Sequence, residues 1–263
     1  MKKTDIEAAL ALAIRAAETP SRNLAGAFRA GAVRARLKPD RSFVTKHDLA
    51  AETVIRGVLR ADRRFGGFDI EGEETGRDGR ASDYRWLVDP IDGTTSFLRG
   101  IPTFGTILAL EEAETRRAVL GVIHLPMQSE TYAAGRGLGT WNGTKRIRVS
   151  RCRSLAEAMV STPDAQWFRI TRMEAGYRRL RDRCPQLRGY ADCWAHTLAV
   201  RGAIDAVVEP YNNAWDIRAT EVLIAEAGGA CRLRAVVSGK FTAALFGCRT
   251  VVEQIADVTG FHS

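Results

Sequence analysis

One stretch, residues 86–97, most constrains what this chain can fold into. It opens with an apolar run that predicts the end of a buried strand. The strand should stop at Asp89, because the next residue is a proline, which has no backbone N–H to donate. Asp92 and Gly93 follow as turn residues, ahead of two threonines and a serine. Two carboxylates so close in sequence suit Mg²⁺, and the N–H groups and hydroxyls after them suit an anion. A metal beside an anion is typical of phosphoryl transfer, and a plain structural turn is the alternative.

Length and composition indicate an ordinary globular protein. The 263 residues are enough for one compact unit made of two halves, which we place at residues 1–150 and 151–263. Hydrophobic residues make up 45% of the chain and charged residues 27%, as is usual for folded proteins. The net charge of +8 would attract anionic substrates and, more weakly, nucleic acid, although basicity often serves only solubility.

The cysteines and the N-terminus favour a cytoplasmic protein. Five cysteines are scattered along the chain without a C-x-x-C pair, which argues against a disulfide framework and a structural zinc site. The N-terminal segment briefly resembles a signal peptide, but Asp5, Glu7 and Arg15 interrupt its apolar run. No apolar run is long enough to cross a bilayer, so we expect no membrane partner.

The N-terminal region is mainly helical by pattern. Apolar residues at helical spacing predict a helix over residues 4–33 with an interruption near Pro20, followed by a loop over 35–44. A second helix should begin at Thr45, and Asp48 three residues later resembles the end of a capping box. Taken alone, Asp48 is best explained by this capping role.

Glu73 is a further acidic candidate. A strand predicted at residues 68–70 leads to Glu73 and Glu74, and adjacent carboxylates of this kind often form only a solvated turn. If this strand ends beside the one that carries Asp89 and Asp92, Glu73 would instead complete a metal site.

The remaining chain predicts β structure in the middle and alternating helices and strands towards the end. Residues 103–110 and 118–123 predict a hairpin, and short strands should follow over 131–143. Asp216 lies where an ordinary N-cap would open a strong helix. In the second half we expect helices at 154–158, 168–183, 194–201 and 217–227, and strands at 159–162 and 206–209. The helix at 168–183 should present a solvated basic face rather than an RNA contact, and its arginines are Arg169, Arg172, Arg178, Arg179, Arg181 and Arg183.

Each of these acidic residues has a structural explanation alone, but together they resemble the inositol monophosphatase-like superfamily of Mg²⁺-dependent phosphatases. The resemblance covers nearly the whole chain, and Asp-Pro-Ile-Asp-Gly-Thr is highly specific when a Trp-Asp pair follows downstream. It implies an α/β (α+β) layered sandwich with alternating helix pairs and mixed sheets, often dimeric. The matching segments are residues 45–48, 72–74, 86–97, 215–216 and 228–229.

The resemblance also implies a set of site residues. Two or three Mg²⁺ ions would be held by ligands from both halves, and the phosphate by backbone N–H groups at a helix start. Thr94, with Asp48 behind it, would orient and help to deprotonate the attacking water, and Glu73 would assist. The implied metal ligands are Glu73, Asp89, the carbonyl of Ile91, Asp92 and Asp216, and the implied phosphate contacts are Gly93, Thr94 and Thr95.

The substrate class rests on a second group of residues. Residues 188–196 and 97–102 resemble the histidinol-phosphatase branch, and we expect Arg188, Tyr190, Asp192 and Glu209 to contact the substrate. Two carboxylates suit the cationic histidinol phosphate, whereas inositol phosphate offers only hydroxyls. A structural turn is the alternative for Tyr190 and Asp192.

Alternatives to a histidinol-phosphate phosphatase come from two classes. Within enzymes, an inositol monophosphatase or a broad sugar-phosphate phosphatase is the nearest alternative. The substrate is also open because residues 231–234 replace an Asp-containing turn of the family that would contact the phosphate-bearing face. The other class is a phosphatase-like scaffold whose basic face binds RNA or protein. We expect a homodimer that acts on a small phosphorylated metabolite and has no nucleic-acid partner.

Overall fold

A computed structural model describes residues 1–31, 33–38 and 43–261. Within these residues it has nine helices, a two-stranded hairpin, an eight-stranded sheet and a five-stranded sheet. The helices are α1 Lys3–Glu18, α2 Ser21–Ala30, α3 Lys46–Ala61, α4 Thr94–Leu98, α5 Ala165–Ile170, α6 Glu174–Arg183, α7 Asp192–Val200, α8 Ala214–Glu226 and α9 Arg249–Thr259. The strands are β1 Ala35–Leu37, β2 Phe43–Thr45, β3 Asp69–Gly72, β4 Gly76–Arg77, β5 Tyr84–Asp92, β6 Gly105–Glu112, β7 Ala118–Leu125, β8 Glu130–Gly135, β9 Gly139–Asn142, β10 Lys145–Ile147, β11 Met159–Ser161, β12 Gln186–Arg188, β13 Ala206–Asn212, β14 Ala230–Val236 and β15 Phe241–Gly247.

The two large sheets and the helices form layers. The first sheet has the order β10-β9-β8-β7-β6-β5-β3-β4, and the second has the order β12-β11-β13-β15-β14. One core packs α1 and α3 against the outer face of the first sheet. A second core encloses α7 and α8 between the two sheets, and a third packs α6 and α9 on the far face of the second sheet. This layered α/β sandwich with mixed sheets confirms the fold expected from the resemblance.

Several local predictions are confirmed. The break near Pro20 separates α1 from α2, and the capping box at Thr45 and Asp48 opens α3. The hairpin is formed by β6 and β7, which pair antiparallel. All five cysteines are free thiols. Among the described residues, no helix combines the length and the apolar character that a membrane crossing requires.

The strand that carries the first two aspartates is longer than predicted. We expected it to stop at Asp89, but β5 continues through Pro90 to Asp92. A bulge between Asp89 and Asp92 takes this segment out of the ladder with β6, so the missing proline N–H leaves no gap in the hydrogen bonding. The hydroxyl of Thr106 donates to the carbonyl of Pro90 at 2.9 Å.

Other local predictions were wrong. The described part of residues 35–44 belongs to the β1–β2 hairpin rather than to a loop, and residues 39–42 lie outside the described residues. Residues 154–158 form turns instead of a helix. The helix expected at 168–183 is divided into α5 and α6 because Arg172 takes a left-handed conformation, with φ of 58°. The six arginines of this segment are exposed, as expected of a solvated face. Residues 231–234 belong to the edge strand β14 and not to a turn.

Candidate active site

Three aspartates from distant parts of the chain form an acidic cluster. One carboxylate oxygen from each of Asp89, Asp92 and Asp216 lies within 4.8 Å of the others. Desolvation raises the pKa of all three carboxyls, and their mutual repulsion raises the pKa of Asp89 and Asp216 further. Three carboxylates at this spacing repel strongly unless a cation lies between them. The donor set consists only of oxygen and suits Mg²⁺.

The bulge at the end of β5 orients the first part of this cluster. The backbone N–H of Ile91 donates to Asp89 Oδ1 at 3.0 Å, which fixes that carboxylate beside its own strand. The carbonyl of Ile91 accepts the hydroxyl of Thr94 at 2.9 Å. Asp92 Oδ2 accepts the N–H of Cys193 from α7. The strand end therefore presents two carboxylates and a carbonyl to the same region.

Asp216 reaches the cluster from the first turn of α8. Its Oδ2 accepts the backbone N–H of Asn213 at 2.7 Å and the side-chain amide of Asn213 at 3.2 Å. Asn213 is the N-cap of α8, and Asp216 lies three residues further on. The expectation that Asp216 is itself the cap was therefore wrong, and the reciprocal bond to the cap instead orients Asp216.

Asp48 and Thr94 lie together, as the resemblance implied. The capping box at the start of α3 holds Asp48 Oδ2, which accepts the N–H of Thr45 at 2.8 Å and the hydroxyl of Thr45 at 2.6 Å. The other oxygen, Oδ1, lies 3.2 Å from Thr94 Oγ1 and is a second acceptor, besides the Ile91 carbonyl, for its one hydroxyl hydrogen. Burial raises the pKa of Asp48 despite these hydrogen bonds. Capping and proximity to Thr94 therefore coexist in one side chain.

The segment from Gly93 to Thr95 begins α4. Gly93 has φ of 83°, which disfavours any other residue, and a Cβ there would lie 3.2 Å from Asp192 Oδ2. The first backbone N–H groups of a helix have no acceptor within it, so those of Thr94 and Thr95 are available to an anion.

Glu73 forms an ion pair with Lys38, a residue that the sequence pattern did not single out. Lys38 Nζ lies 2.7 Å from Glu73 Oε1 and 2.7 Å from Glu74 Oε1. Burial alone would lower the pKa of Lys38, but its bonds to both glutamates raise it, so the lysine is a cation. Burial also raises the pKa of Glu74 to about 7. Glu73 interacts with Asp89 as well, which places it at the edge of the acidic cluster.

A second residue that sequence analysis missed, Glu52, supports the turn that carries Glu73. Glu52 is fully buried and accepts the backbone N–H of Glu74 at 2.8 Å and that of Thr75 at 3.3 Å. Arg56 Nε donates to it at 2.9 Å. A signal was present in the sequence, because Glu52 follows Asp48 by four residues and therefore shares its face of α3.

Asp192 and Glu209 form a second acidic group beside the first. Burial raises the pKa of Asp192 to about 8, with the charges of Asp92 and Glu209 adding to the effect. Glu209 is 6% exposed, and its Oε2 lies 2.8 Å from Nε2 of His196. The acidic cluster therefore has two further carboxyl groups in the neighbourhood of Asp92.

Arg188 and Tyr190 are expected substrate contacts that the structure leaves at the surface. Both side chains are exposed. Arg188 Nη1 donates to the carbonyl of Leu187 at 3.1 Å, and the carbonyl of Tyr190 accepts the hydroxyl of Ser161 at 2.8 Å. Their segment leads directly into Asp192, the first residue of α7.

The raised carboxyl pKa values predict how stability depends on pH and metal. With these pKa values raised, the carboxyls of the folded metal-free site hold more protons than they do in the unfolded chain, so stability should fall as pH rises above about 4 and through the raised pKa values of about 7 for Glu74 and about 8 for Asp192. We expect Mg²⁺ to bind the deprotonated cluster and to restore about 3 kcal/mol near saturation, or roughly 5 to 10 °C in Tm at pH 8, and much less at pH 5.5. Thermal unfolding with and without Mg²⁺, at matched ionic strength, measures this. An equal gain at both pH values would contradict the metal assignment.

Comparisons with known proteins agree with this geometry. The sequence model of the inositol monophosphatase family matches residues 2–243 of this chain. A histidinol-phosphatase of Mycobacterium tuberculosis is 33% identical over 236 residues, which cover 87% of each chain. An inositol-1-monophosphatase of Mesorhizobium japonicum is 33% identical over 202 residues, or 73% of each chain. Among solved structures, the extragenic suppressor protein suhB from Bartonella henselae matches with a TM-score of 0.85 at 26% identity, covering 96% of this chain and 98% of that one.

Proposed function

The chain belongs to the inositol monophosphatase family, and we propose that it is a Mg²⁺-dependent phosphomonoesterase that hydrolyses histidinol phosphate. The main support for this proposal is that the acidic cluster of Asp89, Asp92 and Asp216 lies beside a second pair of carboxyl groups, those of Asp192 and Glu209. The first group suits a metal, and the second suits the cationic part of a substrate. We also propose that the protein works as a cytoplasmic homodimer, as the resemblance implies.

In this proposal the metal is held by the acidic cluster. Asp89, Asp92, Asp216 and the carbonyl of Ile91 are the principal ligands, and Glu73 would join them by leaving Lys38. Two or three bound Mg²⁺ ions would supply an activated water and neutralise charge on the phosphoryl group and the leaving oxygen. The backbone N–H groups at the start of α4 would hold the phosphate in line for attack.

Thr94 and Asp48 would accept the proton of the attacking water. The Thr94 hydroxyl has one hydrogen and two acceptors within reach, the Ile91 carbonyl at 2.9 Å and Asp48 Oδ1 at 3.2 Å. With the Ile91 carbonyl engaged as a metal ligand, the hydroxyl would donate to Asp48 Oδ1, and its oxygen lone pairs would accept a hydrogen from the water. As that proton arrives at Thr94 Oγ1, the hydroxyl proton can move to Asp48 Oδ1. The raised pKa of Asp48 makes it a stronger base than an ordinary carboxylate.

The second carboxylate group would select the leaving group. Histidinol carries an ammonium and a titratable imidazole, and both suit Asp192 and Glu209. Inositol carries hydroxyls, which gain less from a buried carboxylate because a hydrogen bond to a charged partner is strongest when the donor is also charged. The similarity to the inositol-1-monophosphatase of Mesorhizobium japonicum makes inositol 1-phosphate the alternative substrate.

Steady-state kinetics on the two substrates tests this proposal. We expect kcat/KM for L-histidinol phosphate to exceed that for inositol 1-phosphate by at least about tenfold, since a charge-assisted hydrogen bond contributes about 1.5 to 3 kcal/mol. Asp192→Asn should reduce this ratio, and Asp164→Asn, at the N-cap of α5, should not. A comparable or higher kcat/KM on inositol 1-phosphate would overturn the substrate assignment.

A further inference from the structure

His196 is buried between the two carboxylate groups and is bonded at both ring nitrogens. It is 2% exposed, with Nε2 at 2.8 Å from Glu209 Oε2 and Nδ1 at 2.7 Å from the hydroxyl of Thr220. A carboxylate can only accept, so Nε2 carries a hydrogen and donates it. The ring packs edge-on against Phe246 with centroids 5.0 Å apart. The imidazole is therefore held on three sides.

The two helices that His196 connects each carry a site residue one turn earlier. On α7, Asp192 precedes His196 by four residues, and on α8, Asp216 precedes Thr220 by four. Residues four apart share a helix face. The hydrogen-bonded chain from Thr220 through His196 to Glu209 therefore links the helix that supplies Asp216 to the strand β13 that supplies Glu209.

The charges around His196 point to more than core packing. Burial alone would lower the pKa of His196, but Glu209, Asp92 and Asp216 raise it above its ordinary value. The charge of His196 in turn opposes the rise in the pKa of Asp92 and of Asp192. A histidine that only filled the core would not need four carboxylates around it. Without the Nε2–H of His196, Glu209 would be a buried carboxylate that has lost a hydrogen-bond donor, and it would turn towards another one.

We propose that His196 is a positioning residue that holds the Glu209 carboxylate towards the non-phosphate part of the substrate, and thereby sets the preference for cationic over neutral phosphomonoesters. The inference rests on the proposed function, in which Glu209 contacts that part of the substrate. His196 does not touch the reacting atoms in this scheme. Its effect reaches the substrate through the orientation of Glu209.

Two amide variants separate the positioning role from packing. The Asn amide can replace Nδ1 and keep the bond to Thr220 but is too short for Glu209, whereas the Gln amide can replace Nε2. We expect His196→Asn to lower kcat/KM for L-histidinol phosphate by about 10- to 100-fold, mainly by raising KM. The kcat/KM for inositol 1-phosphate should change by less than about threefold. His196→Gln should recover most of the loss.

His124 offers the matched control, because it is buried and has hydroxyl partners at both ring nitrogens, Ser21 and Thr131. His124→Asn should leave the ratio of the two kcat/KM values unchanged. Thr220→Val, which removes the other end of the hydrogen-bonded chain, should shift the ratio in the same direction as His196→Asn but by less. If His196→Asn fails to fold, Thr220→Val alone tests the positioning role of His196.

The outcomes separate this inference from the proposed function. If the wild-type protein prefers L-histidinol phosphate and neither His196→Asn nor Thr220→Val changes the ratio, the positioning role is wrong and the function stands. An equal loss of kcat on both substrates also overturns it, since that indicates a structural role. If the wild-type protein prefers inositol 1-phosphate, the proposed function is wrong, and a shift of the ratio in the variants still supports the role of His196.

Discussion

Replacing Asp92 by asparagine should abolish Mg²⁺-dependent phosphate release. Asparagine keeps the shape of the side chain and one oxygen, which can still accept the N–H of Cys193, but it removes the charge that the cluster with Asp89 and Asp216 offers to a metal. Loss of residues that only support a metal ligand typically reduces activity 10- to 100-fold, so loss of a ligand itself should exceed about 100-fold. Phosphate release at saturating Mg²⁺ measures the effect.

The same substitution should leave the metal-free protein as stable as before or make it more stable. Burial raises the pKa of Asp92, and its charge raises the pKa of Asp89 and Asp216, so a neutral amide removes both the cost of burying a charge and the repulsion of its neighbours. Asp205→Asn is the matched control, since Asp205 accepts the hydroxyl of Ser150 at 2.5 Å and the N–H of Met159 at 2.7 Å. That variant should keep its activity. Near-normal activity of Asp92→Asn would contradict the assignment of Asp92 as a ligand.

Replacing Gly72 by alanine should both destabilise the protein and reduce its activity. A Cβ at Gly72 would overlap the carboxylate of Glu52, whose oxygens are held by Arg56 and by the backbone N–H of Glu74. The carboxylate cannot move without breaking these bonds, so we expect a loss of about 2 to 4 kcal/mol, or roughly 5 to 10 °C in Tm. The next residue, Glu73, would shift, and misplacement by about 1 Å can reduce activity 100-fold.

Gly67→Ala is the control for Gly72→Ala. It lies in the connection that leads into β3, whereas Gly72 ends that strand, and a Cβ at Gly67 would have no atom within 4 Å. We expect its Tm and kcat to stay close to those of the wild-type protein. Wild-type stability and activity in Gly72→Ala would mean that the Glu52 carboxylate does not hold the Glu73 turn in place.

The local features of the site could be predicted from the sequence because they depend on near neighbours. The capping box of Thr45 and Asp48 lies within four residues, and the break at Pro20 follows from proline chemistry. The grouping of Asp216 with Asp89 and Asp92 has no local signal. It was expected only from the resemblance, and the structure places these carboxylates together through the packing of α8 between the two sheets.

The features that were missed depend on contacts between distant segments. Lys38 meets Glu73 across 35 residues of sequence, and Glu52 meets the N–H of Glu74 across 22. The continuation of β5 through Pro90 depends on a bulge that only pairing with β6 can create. In each case the local pattern was compatible with a loop, a solvated helix face or a strand end, and tertiary packing determined the outcome.

The most direct test of the account is phosphate release from L-histidinol phosphate by chelator-treated protein, before and after Mg²⁺ is restored. Because the proposed chemistry at the acidic cluster requires a bound cation, we expect no release above background without metal and full recovery with Mg²⁺. Potassium chloride at the same ionic strength should not restore activity. The same rate of hydrolysis in the presence of the chelator would contradict the account.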